Sequence, residues 1–329
     1  MNNLVLPAWE MLLRFTSIKK FNFIPSFIGM LWLFVILLYQ TTFTYVYIFH
    51  KKDALLESLA IFAHKTYFVE VIIGLILLFV FYMIITPIAE GGIVEMIHTY
   101  RKSDGQKELR SYEGFFRALK HYLPLFEVHN LIAIFRPLSV ITFYILLLRI
   151  FGSQYFVAIS LTMGGYLVFA FFMNMCFAYA KFFVIFEEKN ALQALSASTS
   201  MTVNHIDVTL HLYYTTLLVY LRTILAALFF FGLPFTTSAI ITFFTLITIK
   251  LILLSIFGLV TLIFFIFLTY LNSTLEIFVE ATWYEAYILN KKADTLEDDT
   301  RGDQSHRHTH HDDTLHQSHD KNHHSEVLA

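Results

Sequence analysis

With 329 residues, 57% of them hydrophobic and 15% charged, and a mean hydropathy of +0.62, the chain carries more apolar surface than a water-soluble globule of its size can hide. Its formal net charge of -2, with basic residues scattered between apolar runs, argues against nucleic acid as a partner, because phosphate binding needs a concentrated positive face. The single cysteine, Cys176, excludes an internal disulfide, and its apolar neighbours make it a packing residue rather than a reactive thiol.

Residues 1 to 20 place Trp9, Leu12 and Leu13 on one helical face and Glu10, Arg14, Lys19 and Lys20 elsewhere, as in a short helix lying among lipid headgroups. The apolar run from Phe21 to Phe49 exceeds the roughly 20 residues that cross a bilayer and lacks a small-residue cleavage site, so it reads as a retained first span. His50 to Lys65 is a charged connector, and a second span is predicted from about Tyr67 to Ile88. Beyond Pro87 a basic loop with Arg101, Lys102, Lys107 and Arg110 turns at Ser103, Asp104 and Gly105. Tyr112, Phe115, Phe116, Leu119, Leu123 and Phe126 recur at three- and four-residue spacing opposite Glu113, Arg117 and Lys120, which predicts an amphipathic helix flat on the membrane. A third span, from about Leu131 to Arg149, turns tightly at Gly152, Ser153 and Gln154 into a fourth from Tyr155 to Phe186.

Cys176 to Leu218 reads as span, surface helix, span, with Asn190 and Gln193 as a capping pair at the start of the surface helix. The fifth span, about Thr209 to Phe231, is stopped by Gly232, Leu233 and Pro234. Phe235 to Ile249 is a half-span or the start of one long tilted helix, and Lys250 divides it from the sixth span, Leu251 to Leu271. That last helix is expected to continue through Glu276, Glu280 and Glu285 toward water and to end near Asn290; the sequon at Asn272 lies in or beside the span, out of an enzyme's reach. Residues 291–329 lose all apolar periodicity and are predicted to be a disordered cytoplasmic tail.

The fold class is therefore all-α: a polytopic membrane bundle over residues 1–290, with six transmembrane helices as three hairpins, each preceded by an interfacial amphipathic helix. The segments Trp9 to Leu13, Phe115 to Leu119 and Ala191 to Leu195 are loosely alike, through duplication or through chance likeness among apolar helices. Lys and Arg collect before the first span and after the second, fourth and sixth, predicting cytoplasmic termini, against the bias of Lys51, Lys52 and Lys65.

Arg222 sits inside the fifth span, roughly 13 Å from its Phe231 end by helical rise. Insertion there costs on the order of 2.5 to 3.5 kcal/mol, so a partner is expected, with Glu70 in the second span as the candidate; the alternative is a cavity that attracts an anionic headgroup or substrate. Glu90, Glu95 and His98 form a juxtamembrane polar cluster whose single Glu-x-x-His is half of what a dinuclear metal bundle needs, and a solvated surface is the plainer account. Gly91 and Gly92 suit a close helix approach or a bend, and Arg136 and Asn174 suit interhelical or interfacial anchoring. In the tail, His306, His308, His310, His311, His316, His319, His323 and His324 would bind divalent metal weakly, without a defined site.

The segment from Lys181 through Glu187, Asn190 and Leu195 to Ser198, together with Ala281, Trp283, Tyr284 and Tyr287, resembles a broad group of bacterial six-span proteins that includes the membrane domain fused to some glycerophosphodiester phosphodiesterases. The resemblance covers about residues 1 to 290 and implies six helices and an inner-membrane location; it carries over no functional residue, and no phosphodiesterase domain is present. Catalytic motifs and cofactor fingerprints are absent from the sequence. The expectation is a non-enzymatic membrane protein, whose partners are the bilayer and other membrane proteins, acting as a scaffold or in lipid handling. The alternative is a transporter or channel with a path lined by Arg222, Glu70 and Asn174, metal flux with the tail as collector being one variety.

Overall fold

The computed structural model describes residues 2–48, 57, 60–103, 105–242 and 247–319; the side chains of 2, 3, 43, 45, 47, 48, 153, 231, 234–242 and 297–319 lie outside that description. All described regular structure is helical. The helices are α1 (Asn2–Arg14), α2 (Thr16–Ile48), α3 (Phe68–Lys102), α4 (Ser111–Lys120), α5 (Tyr122–Ala133), α6 (Pro137–Phe151), α7 (Phe156–Cys176), α8 (Ala180–Glu187), α9 (Ala191–Asn204), α10 (Ile206–Thr242) and α11 (Ile247–His319). The chain divides into Met1–Glu285 and Ala286–Ala329. Within the second unit Lys291 lies over the Tyr287 ring; the backbone is helical through His319, past the expected end near Asn290 and into the stretch expected to be disordered, while the tail histidine side chains and residues 320–329 lie outside the description.

The protein is a polytopic membrane bundle. Five helical segments are long and apolar enough to cross a bilayer: Thr16–Thr42, Phe68–Lys102, Phe156–Glu187, Ile206–Phe230 and Ile247–Leu296; α5 and α6, bent by 50°, make a sixth if taken as one span. At most 17% of the most apolar window of each straight span is buried, because side chains that face lipid need no protein partner. Packing concentrates instead at one end of the bundle. There α3 buries Ile88 to Ile97, α8 buries Phe182 to Ile185, and α9 buries Ala194, Ser198 and Met201. Phe15, between α1 and α2, stacks on Tyr100 with ring centroids 4.9 Å apart, and Trp9 meets Phe278 edge-on. Away from that end, α2, α10 and α11 share Met30, Phe230 and Phe265, while α6 and α7 share Val140, Met163 and Ala170.

Three further sequence expectations change. α3 passes through Pro87 to Lys102 rather than ending near Ile88, and α10 passes through Gly232 and Pro234 to Thr242, so Phe235 to Ile249 is no half-span; it is divided between α10 and α11, with 243–246 outside the description. Proline removes one backbone bond from a helix, and a membrane helix that has no better place for its polar backbone continues regardless. The amphipathic segment around Phe116 is two helices, broken at His121.

Among the described residues, two breaks in apolar helical stretches are closed by neighbouring side chains. At the bend before Pro137, Tyr166 donates to the Ile134 carbonyl and Asn174 donates to the Phe135 carbonyl, both from α7. Between α7 and α8, the Ser198 hydroxyl donates to the Cys176 carbonyl (2.7 Å) and accepts from the Tyr179 N–H (3.1 Å). Asn190 caps α9 by accepting from the Gln193 N–H at 2.9 Å, as its sequence pattern predicts. Glu188, in a left-handed conformation at the end of α8, pairs with Lys120 at 2.7 Å. The pairing lowers the Glu188 carboxyl and raises the Lys120 ammonium from their ordinary values, so this exposed contact is present at neutral pH and is lost as pH falls through the lowered Glu188 value or rises through the raised Lys120 value.

Gly91 and Gly92 do permit a close approach. A Cβ on Gly91 would lie 2.6 Å from Leu125 Cδ1, and one on Gly92 would lie 2.5 Å from Phe21 Cζ and 3.3 Å from the Gly114 carbonyl, so α3 meets α2, α4 and α5 here with no room for a side chain. Gly92→Val is expected to destabilise the protein by about 1–3 kcal/mol through overpacking. Thermal unfolding of purified protein in detergent reads this, and Phe21→Ala should recover part of the loss; a Gly92→Val melting curve like the parent's would contradict the packing described.

Candidate functional site

The packed end of the bundle contains a set of polar side chains drawn from six helices. On α3, Glu90 sits one position before the close-packed glycines, and its Oε1 lies 3.2 Å from His129 Nδ1 on α5. The break after α5 leaves Arg136 extended as the residue before Pro137, and from there its Nη2 reaches Glu90 Oε1 at 3.6 Å. Arg136 Nη1 is also 3.2 Å from His129 Nε2. Arg136 Nη2 is likewise 3.2 Å from His129 Nδ1, so the guanidinium lies against both ring nitrogens of the imidazole that faces Glu90.

Across from this triad, Lys181 on α8 pairs with Glu280 Oε1 on α11 at 2.5 Å. One turn earlier on α11, Glu276 accepts from two amides, Asn22 on α2 at 2.9 Å and Asn272 at 2.7 Å. Asn272 also donates to Ser26, and Ser26 donates to the Thr269 carbonyl. The stripe 269, 272, 276 and 280 on α11 meets Asn22 and Ser26, one turn apart on α2.

These groups act on one another electrostatically. Lys181, Arg136 and His129 act on Glu90; Glu280 and Glu90 act on Glu276; and Glu280, Glu276, Arg136 and Glu90 all act on the Tyr220 hydroxyl of α10. Tyr82 of α3 feels Arg136, Glu90 and Glu276. Side chains this mutually engaged would be sealed in a solid core, yet Glu90 keeps 29% and Arg136 34% of their side-chain surface, and Tyr220 keeps 47% of its residue surface. They form a polar cluster between the helices that keeps part of its surface. By helical rise, Asn22 is about 9 Å from the start of α2 and Glu90 about 33 Å from the start of α3, whereas Tyr220 is about 21 Å along α10, so the set runs from one end of the spans toward their middle.

Of the residues predicted from the sequence, Arg136 and Glu90 belong to this cluster. Glu95 and His98 turn away from Glu90: Glu95 lies 3.7 Å from Arg117, and His98 Nδ1 is 3.0 Å from the Tyr284 hydroxyl against Phe186. Asn174 holds the α5–α6 bend, as described. Arg222 and Glu70 are both exposed, and among the described residues no ion pair joins them. α10 turns Leu212, Thr216 and Phe230 inward, off the face that carries Arg222. Arg222 lies about 24 Å along α10 from Ile206. Among the described residues no three His, Cys, Asp or Glu side chains come together as metal ligands.

Sequence reading missed His129, Lys181, Tyr220, Glu276 and Glu280, having sent the last two toward water. The available signal was the three- and four-residue spacing of Thr269, Asn272, Glu276 and Glu280, a polar stripe along an otherwise apolar helix. No protein-family model, curated protein or solved structure matches this chain.

Removing one member of a buried ion pair leaves the other charge uncompensated. Lys181→Met is expected to destabilise the protein by about 3–5 kcal/mol, and Lys181→Met with Glu280→Gln to recover most of it. Denaturation of the single and double variants in mixed micelles measures the coupling; equal stabilities would show that the pair carries no such energy.

Proposed function

We propose that this chain is a lipid-handling protein of the bacterial inner membrane that holds the polar end of an amphiphile at the polar cluster while the apolar part lies among the loosely packed spans. In this reading the bent α5–α6 pair is the sixth span, the six form three hairpins, and α1, α4 and α9 lie in the interface before each. Exposed apolar rows on these helices support that arrangement: Leu6, Trp9 and Leu13; Tyr112, Phe116 and Leu119; Leu192 and Val203. Arg14, Lys19 and Lys20 beside α1, the basic residues from 101 to 110, and Lys189 share one end of the bundle, which supports reading that end and both termini as cytoplasmic.

The observation that carries the proposal is the retained surface of Glu90, Arg136 and Tyr220 within one mutually interacting set. A polar cluster that runs inward from one end of the spans, between apolar helices, fits a molecule with one charged end and one hydrocarbon end. No catalysis is proposed, since the polar groups are committed to one another and none is paired with a nucleophile. Transport is the second reading, favoured by the same accessible charges.

Binding of a fluorescent phospholipid to purified protein tests the first reading. Tyr220→Leu, which alters the cluster without breaking an ion pair, should weaken binding by about tenfold, or 1.4 kcal/mol, with little change in melting temperature. Undisplaceable background binding that is the same in both proteins would remove the cluster as the site. Flux of the same lipid or of a polar solute across liposomes, dependent on the protein, would promote the second reading.

A further inference from the structure

Within the cluster, the Arg136 and Glu90 side chains keep 34% and 29% of their surface, whereas Lys181 and Glu280, paired with each other, keep 18% and 11%. Neither member of the more open couple satisfies the other. Their contact, 3.6 Å between Arg136 Nη2 and Glu90 Oε1, is longer than a hydrogen bond, and that oxygen already faces His129. A guanidinium carries five N–H donors, whereas an imidazole offers at most one acceptor nitrogen in any protonation state. With one N–H on His129 and one on the Tyr82 hydroxyl, most of the Arg136 donors still have no acceptor among the described residues. Glu90 Oε2 accepts from no described residue either, and it is not sealed in as Glu280 Oε2 is. Two opposite charges thus stand side by side, each with hydrogen-bonding capacity unused, where apolar surroundings make that costly.

The depth of the couple is set by α3. From Val71 to Ala89 that helix carries no charge over about 28 Å by helical rise, close to the thickness of a bilayer's hydrocarbon core. Glu90 is the first charge beyond that stretch, and Arg136 meets it there.

We infer that Arg136 and Glu90 together read a zwitterionic phosphate–ammonium headgroup, with Arg136 N–H groups donating to phosphate oxygens and the ammonium donating to Glu90 Oε2. The inference rests on the reading of the cluster as the place that holds the polar end of an amphiphile, and adds which polar end. A guanidinium with several idle donors matches a phosphate, whose oxygens accept in parallel. A lone anion on Arg136 would lie against the Glu90 carboxylate, and a lone cation on Glu90 would lie against the guanidinium. Each singly charged ligand therefore gains one contact and meets one like charge, whereas a zwitterion gains both contacts and meets neither. The remaining charges do not compete: Lys181 stays with Glu280, and Glu276 stays with the amides of Asn22 and Asn272.

A displacement experiment tests this on purified full-length protein in detergent, loaded with fluorescent phosphatidylethanolamine. The competitors are unlabelled phosphatidylethanolamine, phosphatidylglycerol, which has the phosphate without the ammonium, and a long-chain primary amine, which has the ammonium without the phosphate. The zwitterion should displace the probe at about tenfold lower concentration than either singly charged competitor. Glu90→Gln should abolish the discrimination against phosphatidylglycerol, and Arg136→Gln the discrimination against the amine. Glycerophosphoethanolamine, the same headgroup without acyl chains, separates the sources: displacement by it assigns the site to the zwitterion in soluble form as well, and displacement by the acylated form alone assigns it to a lipid headgroup.

Phosphatidylglycerol or the amine competing as well as phosphatidylethanolamine in the parent protein, or an order of competitors that both variants leave unchanged, overturns the inference while leaving amphiphile binding in place. If the fluorescent lipid does not bind at all, the reading of the cluster fails with it. Because the order is read first in the parent protein, a variant that does not fold still leaves the inference open to refutation.

Discussion

A helix that breaks inside or beside hydrocarbon exposes backbone carbonyls that lipid cannot satisfy, and each unsatisfied group costs several kcal/mol. Among the described residues, two such breaks are answered with side chains from an adjoining helix. Tyr166 and Asn174 close the bend before Pro137, and Ser198 closes the turn between α7 and α8. The placement of the polar cluster depends on these repairs. The first break sets Arg136 in an extended conformation facing Glu90, and the second begins α8, whose Lys181 faces Glu280. Unbroken spans would carry both cations elsewhere on their helices.

Around those breaks the molecule divides its labour by depth. Mid-span, contacts are sparse and local, since hydrocarbon solvates Leu, Ile and Phe as well as protein does. At the end bearing α1, α4 and α9, backbone and polar side chains crowd together and must be satisfied by one another. Gly91 and Gly92 let α3 approach its neighbours closely enough for Glu90, the next residue back, to meet partners from two other helices.

Much of this was legible in the residue order because it is written locally. Apolar runs longer than a bilayer's thickness mark the spans, adjacent glycines mark a close crossing, Asn190 marks a helix start, and Asn174 in an apolar span marks an interhelical bond. What escaped depends on relations between distant segments. Whether Glu280 extends into water or turns inward depends on Lys181, 99 residues away, and no local pattern near either residue states it. Arg222 misled for the converse reason: depth in a span suggests a partner, but the direction in which the residue points is set by the packing of Leu212 and Phe230 on the other side of α10. Prolines misled too, because Pro87 and Pro234 punctuate helices in water far more reliably than in lipid.

The 50° bend between α5 and α6 has a mechanical consequence. Beyond it, α6 packs on α7 through Val140, Met163 and Ala170, and the bend itself is tied to α7 by Tyr166 and Asn174. The two helices thus form one lever arm whose elbow carries Arg136. The distance from the Arg136 guanidinium to Glu90 is therefore set by the angle between α5 and the α6–α7 pair.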